Sequence, residues 1–283
     1  MEIEYNMGQL YIEIELNTIK NAETEVFTSV SSLLALYVYR YLNCPENLKL
    51  NFVCSTLSPE QGKVKLCSES LKRELTDDRI LCKDSCKLEA IQDLRLPLYA
   101  KEEDTFVAGI CAVCRELIVG QPDKKKLKLL GFKESCLLAP SESSIWTRFC
   151  EVDVVESLSK ILRCIEQEEI CKSLPVVCAR FEKHMNEPVR MHNIYKLARN
   201  KANQEAGRVE EGQIEKRRKN KVTINCSIPK EELDIEHKFA EGVDFTIADL
   251  ILYPCMRLIF ICYPNALEQF PLTNAWLNEV IYE

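Results

Sequence analysis

Glycine is scarce in this sequence, with eight among 283 residues, and no glycine-rich loop follows a strand signal anywhere along it. A cofactor loop of the kind that needs close backbone approach is therefore not written into these residues. Histidine is scarcer still, with three. Cys82 and Cys86 are each followed by a lysine, but no second pair lies at ligand spacing, so no metal site is expected. No uninterrupted apolar stretch reaches the ~18 residues that a helix needs to span a bilayer, which removes the membrane from the expected partners. Met1 to Leu16 hold glutamates and no basic residue, the reverse of a secretory or transit peptide, and the expected location is cytoplasmic. The formal net charge is -7, so nucleic acid is not an expected partner of this region.

What is present can build two cores: 46% of the residues are hydrophobic in a chain long enough for two domains. Fifteen cysteines are an odd number scattered through apolar segments, and they read as reduced thiols packed as small hydrophobes. Cys111-x-x-Cys114 lies in a helical pattern with Phe106, Ile110, Val113 and Leu117 on its face, so core packing explains it better than redox chemistry.

Residues 1–120 alternate strand and helix signals. Leu10, Ile12, Ile14 and Leu16 alternate with polar or amphipathic residues, as a half-buried strand requires. Apolar positions from Val26 to Leu42 then follow a helical period until Asn43-Cys44-Pro45 stops it. Leu48 to Cys54 alternates again, which makes a βαβ unit with parallel strands. Residues 55–93 are polar and poorly periodic, then a short strand at Leu96-Pro97-Leu98-Tyr99-Ala100 leads into a helix over Phe106–Ile118. From Gln121 the pattern is helical, which places a domain boundary near residue 120 and a second domain over 121–283. Within it, residues 186–236 are strongly polar and include the basic run Lys216–Lys221, and they read as a flexible, solvated insertion.

Near the end, Thr246 and Asp249 stand three apart as a variant capping box, with Phe245 and Leu250 placed as a hydrophobic staple. The surrounding Gly242-Val-Asp-Phe-Thr-Ile-Ala-Asp-Leu resembles the motif that opens the core helix of the glutathione-S-transferase C-terminal domain. Phe270-Pro271-Leu272 with Trp276 is similar to a second motif of that domain. More specifically, Lys126–Cys136, Ile145–Glu151, Glu187–Asn193 and Phe239–Gly242 resemble the glutathione S-transferase C-terminal domain-containing proteins of animals.

The resemblance implies a thioredoxin-like α/β N-terminal domain joined to an all-α C-terminal domain. It makes Pro97 a cis proline and puts Glu103-Asp104-Thr105 where the family holds the γ-glutamyl end of glutathione. There Asp104 replaces a serine, and its carboxylate repels that of glutathione. Thr24, Thr28 and Ser29 are the hydroxyls near the first helix, with Cys44 and Cys54 in reserve, and none sits in a family nucleophile motif. Arg148, Glu187, Arg190, His192 and Asn193 belong to the resembling segments and read as salt bridges and caps.

The expected function is a non-catalytic binding or scaffolding module with no catalytic residue and no cofactor, glutathione being the one ligand the resemblance brings forward. The family attaches a methyltransferase-like domain, and no residue here carries methyl transfer. A protein partner or that attached domain is expected, as is compatibility with a transferase-like dimer. The other reading is a residual glutathione-dependent transferase with an unorthodox nucleophile.

Overall fold

A computed structural model of the chain describes residues 8–18, 24–43, 48–58, 62–67, 71, 75–76, 79–83, 89–102, 105–131, 148–167, 176–187 and 237–282. The fold is organised around β1, Gln9–Thr18. On one edge β1 pairs in parallel with β3, Lys49–Cys54, and β3 pairs in parallel with β5, Ile80–Cys82. The other edge of β1 is shared. Its first residues pair antiparallel with β6, Leu98–Glu102, and its last with β2, Thr24–Ser29. β4, Lys63–Leu66, extends the sheet beyond β2, and β7, Thr105–Ala108, extends it beyond β6.

Sharing an edge leaves a gap at Glu13, where neither neighbour pairs with the backbone. A buried peptide group without a partner is costly, so side chains take over. Glu13 N–H donates to Ser32 Oγ at 3.0 Å, and the Thr28 hydroxyl donates to Glu13 O at 2.6 Å. Ser29 caps α1, Val30–Tyr41, by accepting the Ser32 N–H at 3.3 Å. The hydroxyls at the head of the first helix are thereby engaged in closing the sheet.

The sheet is covered on both faces. Leu10, Ile12 and Ile14 join the main core with α1 and with α3, Ile110–Val119. Tyr11, Val53, Leu98 and Ala100 face the other way and pack with Ile91 of α2, Glu89–Asp93. β1 is thus buried on both sides, whereas its alternating pattern suggested a half-buried strand. Period-two reading sees Tyr11 and Glu13 as polar-face residues and cannot see what covers them.

Four further differences have similar causes. The helical period read from Val26 begins in β2, since residues 24–29 fill the edge of β1 that β6 leaves open. Residues 105–108 form β7, so the helix read from Phe106 starts at Ile110. The polar stretch 55–93 contains β4, β5 and α2, elements of three to five residues and too short to show a period. Lys124–Leu130 is a 3₁₀ helix.

The helical part begins with a π turn, Phe149–Asp153, that runs into α4, Val154–Glu166. α5 is Val176–Met185, α6 is Ile247–Cys262 with Pro254 inside it, and a 3₁₀ turn, Pro264–Gln269, leads to α7, Pro271–Val280. α1 packs on α6 through Tyr37 and Tyr253, rings 6.4 Å apart, and α5 on α7 through Phe181 and Trp276 at 4.7 Å. One apolar cluster runs from Leu10 to Val280, so sheet and helices share a core. The expected insertion lies almost wholly outside the described residues. Among the described residues no helix is long and apolar enough to cross a membrane.

Gly62, directly before β4, packs against the backbone of α4. Its φ is +63°, and a Cβ there would stand 2.8 Å from the backbone of Ser159. Gly62→Ala should therefore lower the unfolding free energy by about 1–3 kcal/mol, read by urea denaturation. An unchanged midpoint would contradict this packing.

Candidate functional site

Leu96-Pro97 is a cis peptide at the entry to β6, and beside it opens a cavity of about 690 Å³. Its walls come from the head of α1 at Ser29 to Ser31, from Arg95 and Pro97, from Gly109 and Ile110 at the head of α3, and from Glu151 through Arg163 on the helical side. Its lining carries two guanidinium-bearing side chains, Arg95 and Arg163, two carboxylates, Glu151 and Glu156, and the N-termini of two helices. Arg163 Nε is buried with no hydrogen-bond partner among the described residues.

The head of α3 is already occupied. Gly109, the residue before the helix, has no side chain to cap it. Glu151 reaches over from the π turn, and its Oε1 accepts the Cys111 N–H at 2.8 Å. A Cβ on Gly109 would lie 2.9 Å from the same oxygen, so glycine here makes room for the carboxylate. An anion at a helix N-terminus gains from the exposed N–H groups and from the dipole. Glu151 takes that gain from within the chain.

Pro97 lines this cavity. Thr105 opens β7 on the far side of the hairpin turn, and Glu103 and Asp104 lie outside the described residues. β6 and β7 form an antiparallel hairpin. Gly109 follows it, directly before α3. The role read for Glu103 and Asp104 rested on the family resemblance and falls outside the described residues; among the described residues, Gly109 and Glu151 line the cavity with Pro97. Glu151 ends one of the resembling segments, but its partner is 40 residues away, and nothing local signals the pairing.

The candidate nucleophiles separate by position. Ser29 is buried and lines the cavity. Thr28 is committed to the Glu13 carbonyl. Cys54 is half-buried at the end of β3. Cys44 and the Thr24 side chain lie outside the described residues, as do Arg190, His192 and Asn193; Arg148 is exposed, 4.0 Å from Asp153. Burial pushes the Cys178 thiol up to about 11 and Cys255 up to about 12, and a hydrogen bond to Cys111 together with burial holds Cys150 well above the ordinary range. These three thiols are protonated at neutral pH and poor nucleophiles.

A second polar centre lies at the start of α6. Asp249 is fully buried, and its Oδ1 accepts the Ala240 N–H at 2.7 Å and Trp276 Nε1–H at 2.8 Å. Oδ2 accepts the Thr246 N–H at 2.9 Å, with the Thr246 hydroxyl at 3.3 Å, in a capping box. Phe245 meets Phe239 at 5.5 Å and Tyr41 at 6.1 Å, and Leu250 is in the core. These four residues serve the helix start and are remote from Pro97: none of them lines its cavity.

A βαβ unit, a cis proline before an antiparallel hairpin, and a helical part entered by a capped core helix together define a glutathione-transferase fold. The family model "Glutathione S-transferase, C-terminal domain" matches residues 188–283. The chain belongs to the glutathione S-transferase C-terminal domain-containing proteins. It is 57% identical to the homolog of Drosophila pseudoobscura pseudoobscura and 54% identical to that of Drosophila melanogaster, each over 97% of this chain and 45% of the relative. The Homo sapiens protein is 29% identical over 87% of this chain and 46% of its own length. The chain thus spans about half the length of the curated relatives it matches. Among solved structures, Ure2p in complex with glutathione aligns over 99% of this chain and 92% of its own at 12% identity, with a TM-score of 0.48.

Asp249 yields two predictions. Each of its oxygens faces donors, so an amide would set N–H against N–H in either orientation. Asp249→Asn should cost about 2–4 kcal/mol in urea denaturation, close to the cost of Asp249→Ala. Burial outweighs the donated hydrogen bonds and raises its carboxyl to about 6 from 3.8. The folded chain then takes up a proton between about pH 6 and 4 that the unfolded chain does not, so this group's contribution to stability falls as pH rises through that window. Above it, stability should be flat, and in Asp249→Ala the wild-type slope between pH 4 and 6 should be reduced.

Proposed function

We propose that this chain is a non-catalytic binding or scaffolding module of the glutathione-transferase fold. It consists of a thioredoxin-like unit over residues 1–120 and a helical unit over 121–283, and acts in the cytoplasm. In the whole protein it would present its surface to a protein partner or to an attached methyltransferase-like domain, as a monomer or a transferase-like dimer. The observation that carries this reading is the Glu151 carboxylate on the head of α3. Glutathione enters such a cradle through its γ-glutamyl end, whose α-carboxylate is the group that seeks helix N–H donors. Here it would meet an internal carboxylate already holding the N–H group it needs, and like charges at that distance repel.

A second reading has one observation of its own. Ser29 opens α1 and lines the cavity beside Pro97, the place from which a hydroxyl could favour a bound thiolate. Its Oγ accepts the Ser32 N–H, which leaves the hydroxyl proton to donate. Under that reading the chain is a residual glutathione-dependent transferase.

Glutathione titration by calorimetry, with a chlorodinitrobenzene-type electrophile for turnover, separates the two. Wild type should show neither saturable binding at millimolar glutathione nor conjugation. Glu151→Ala should acquire measurable binding, whereas Glu151→Gln, which keeps the acceptor for Cys111 N–H, should remain closed. Wild-type turnover abolished by Ser29→Ala would overturn the non-catalytic reading.

A further inference from the structure

At the other end of α1 lies a second cavity, of about 780 Å³, which shares no lining residue with the one at Pro97. Its wall is built from Lys125, Lys126 and Lys128 of the 3₁₀ helix, from Lys238, and from the rings of Tyr41 and Phe245. Asp244 supplies the opposing charge. Four ammonium groups around one concavity stand against the formal net charge of -7 carried by the whole chain.

The geometry follows from the local structure. Residues three apart eclipse on a 3₁₀ helix, so Lys125 and Lys128 fall on one side of the segment. Asp123 starts that segment by accepting the Lys125 N–H at 2.9 Å. Lys126 is engaged, its ammonium donating to Leu42 O at the end of α1. Lys238 pairs with Glu279 at 2.5 Å. The remaining two, Lys125 and Lys128, are exposed, and among the described residues their ammonium groups have no hydrogen-bond or ion-pair partner.

Two unengaged ammonium groups on one face suit an anion of more than one charge, and lysine is a compact phosphate-binding charge. Tyr41 and Phe245 are half-buried, their rings 6.1 Å apart and tilted by 48°, and they leave an aromatic wall beside those charges. A planar ring gains by packing on such a wall. The volume is that of a small-molecule site.

We propose that this cavity binds a nucleoside polyphosphate, its phosphates on Lys125 and Lys128 and its base against Tyr41 and Phe245. Isothermal titration of the 283-residue chain at fixed ionic strength, with ATP, tripolyphosphate and adenosine as probes, tests it. ATP should bind saturably, tripolyphosphate more weakly and adenosine most weakly. Lys125→Glu and Lys128→Glu should each weaken ATP by about tenfold or more. Lys160→Glu, on the exposed face of α4, should change it by less than about twofold. All three positions are exposed, and thermal melts should show the variants folded. Failure of ATP to bind, or equal weakening by Lys160→Glu, overturns the site. Tripolyphosphate binding as tightly as ATP overturns the assignment of the ring.

Discussion

The helical half depends on one buried carboxylate. Asp249 receives hydrogen bonds from three places: Ala240 in the approach to α6, Thr246 at its start and, far along the chain, Trp276 in α7. A carboxylate without solvent is tolerated only when its lone pairs are filled, and each oxygen here faces two donors. The arrangement fixes more than a helix end. Trp276 is held by its indole N–H while its ring packs on Phe181, so α5, α6 and α7 are tied at one point. The acceptor that desolvation makes expensive is therefore the one that sets the relative placement of three helices.

The same physics recurs at two other helix starts. α7 has no side-chain cap of its own, and Glu182 of α5 supplies one: its oxygens accept the Leu272 N–H at 3.0 Å, the Thr273 N–H at 2.8 Å and the Thr273 hydroxyl at 2.7 Å. α3 is capped by Glu151. Helix N-termini present unpaired donors that must be satisfied, and at α3 and α7 carboxylates from other elements satisfy them. Such tertiary caps couple elements that hydrophobic burial alone would leave free to slide.

How much of this was legible depends on distance along the chain. The capping pair Thr246 and Asp249, the parallel pairing of β1 with β3 and the proline entering β6 are local or strongly periodic, and their signals survive in the sequence. Three things were not visible. β2 was hidden because Val26 to Leu42 keeps a helical phase across a strand-to-helix junction. β4, β5 and α2 were hidden by brevity. Glu151 was hidden because its role is set by Gly109 and Cys111, which tertiary folding brings to it. Read along the chain, the site runs from Pro97 to Glu103 and Asp104, whereas the described lining of the cavity beside Pro97 also draws on Ser29, Gly109 and Glu151 from separate elements.

That lining bears on which constraint weighs most on ligand binding. A missing nucleophile would slow chemistry and leave binding intact, since the two draw on different contacts. An occupied cradle acts earlier. A ligand carboxylate arriving at α3 must first break the Glu151 to Cys111 hydrogen bond, and a bond to a charged group is worth about 1.5–3 kcal/mol. That corresponds to roughly ten- to hundredfold in affinity before the ligand has made a contact of its own. The competitor is moreover always in place, because the π turn before α4 delivers it with the fold. Gly109 completes the point: its open space is filled by Glu151, so the residue that could widen the cradle is the one the carboxylate already uses.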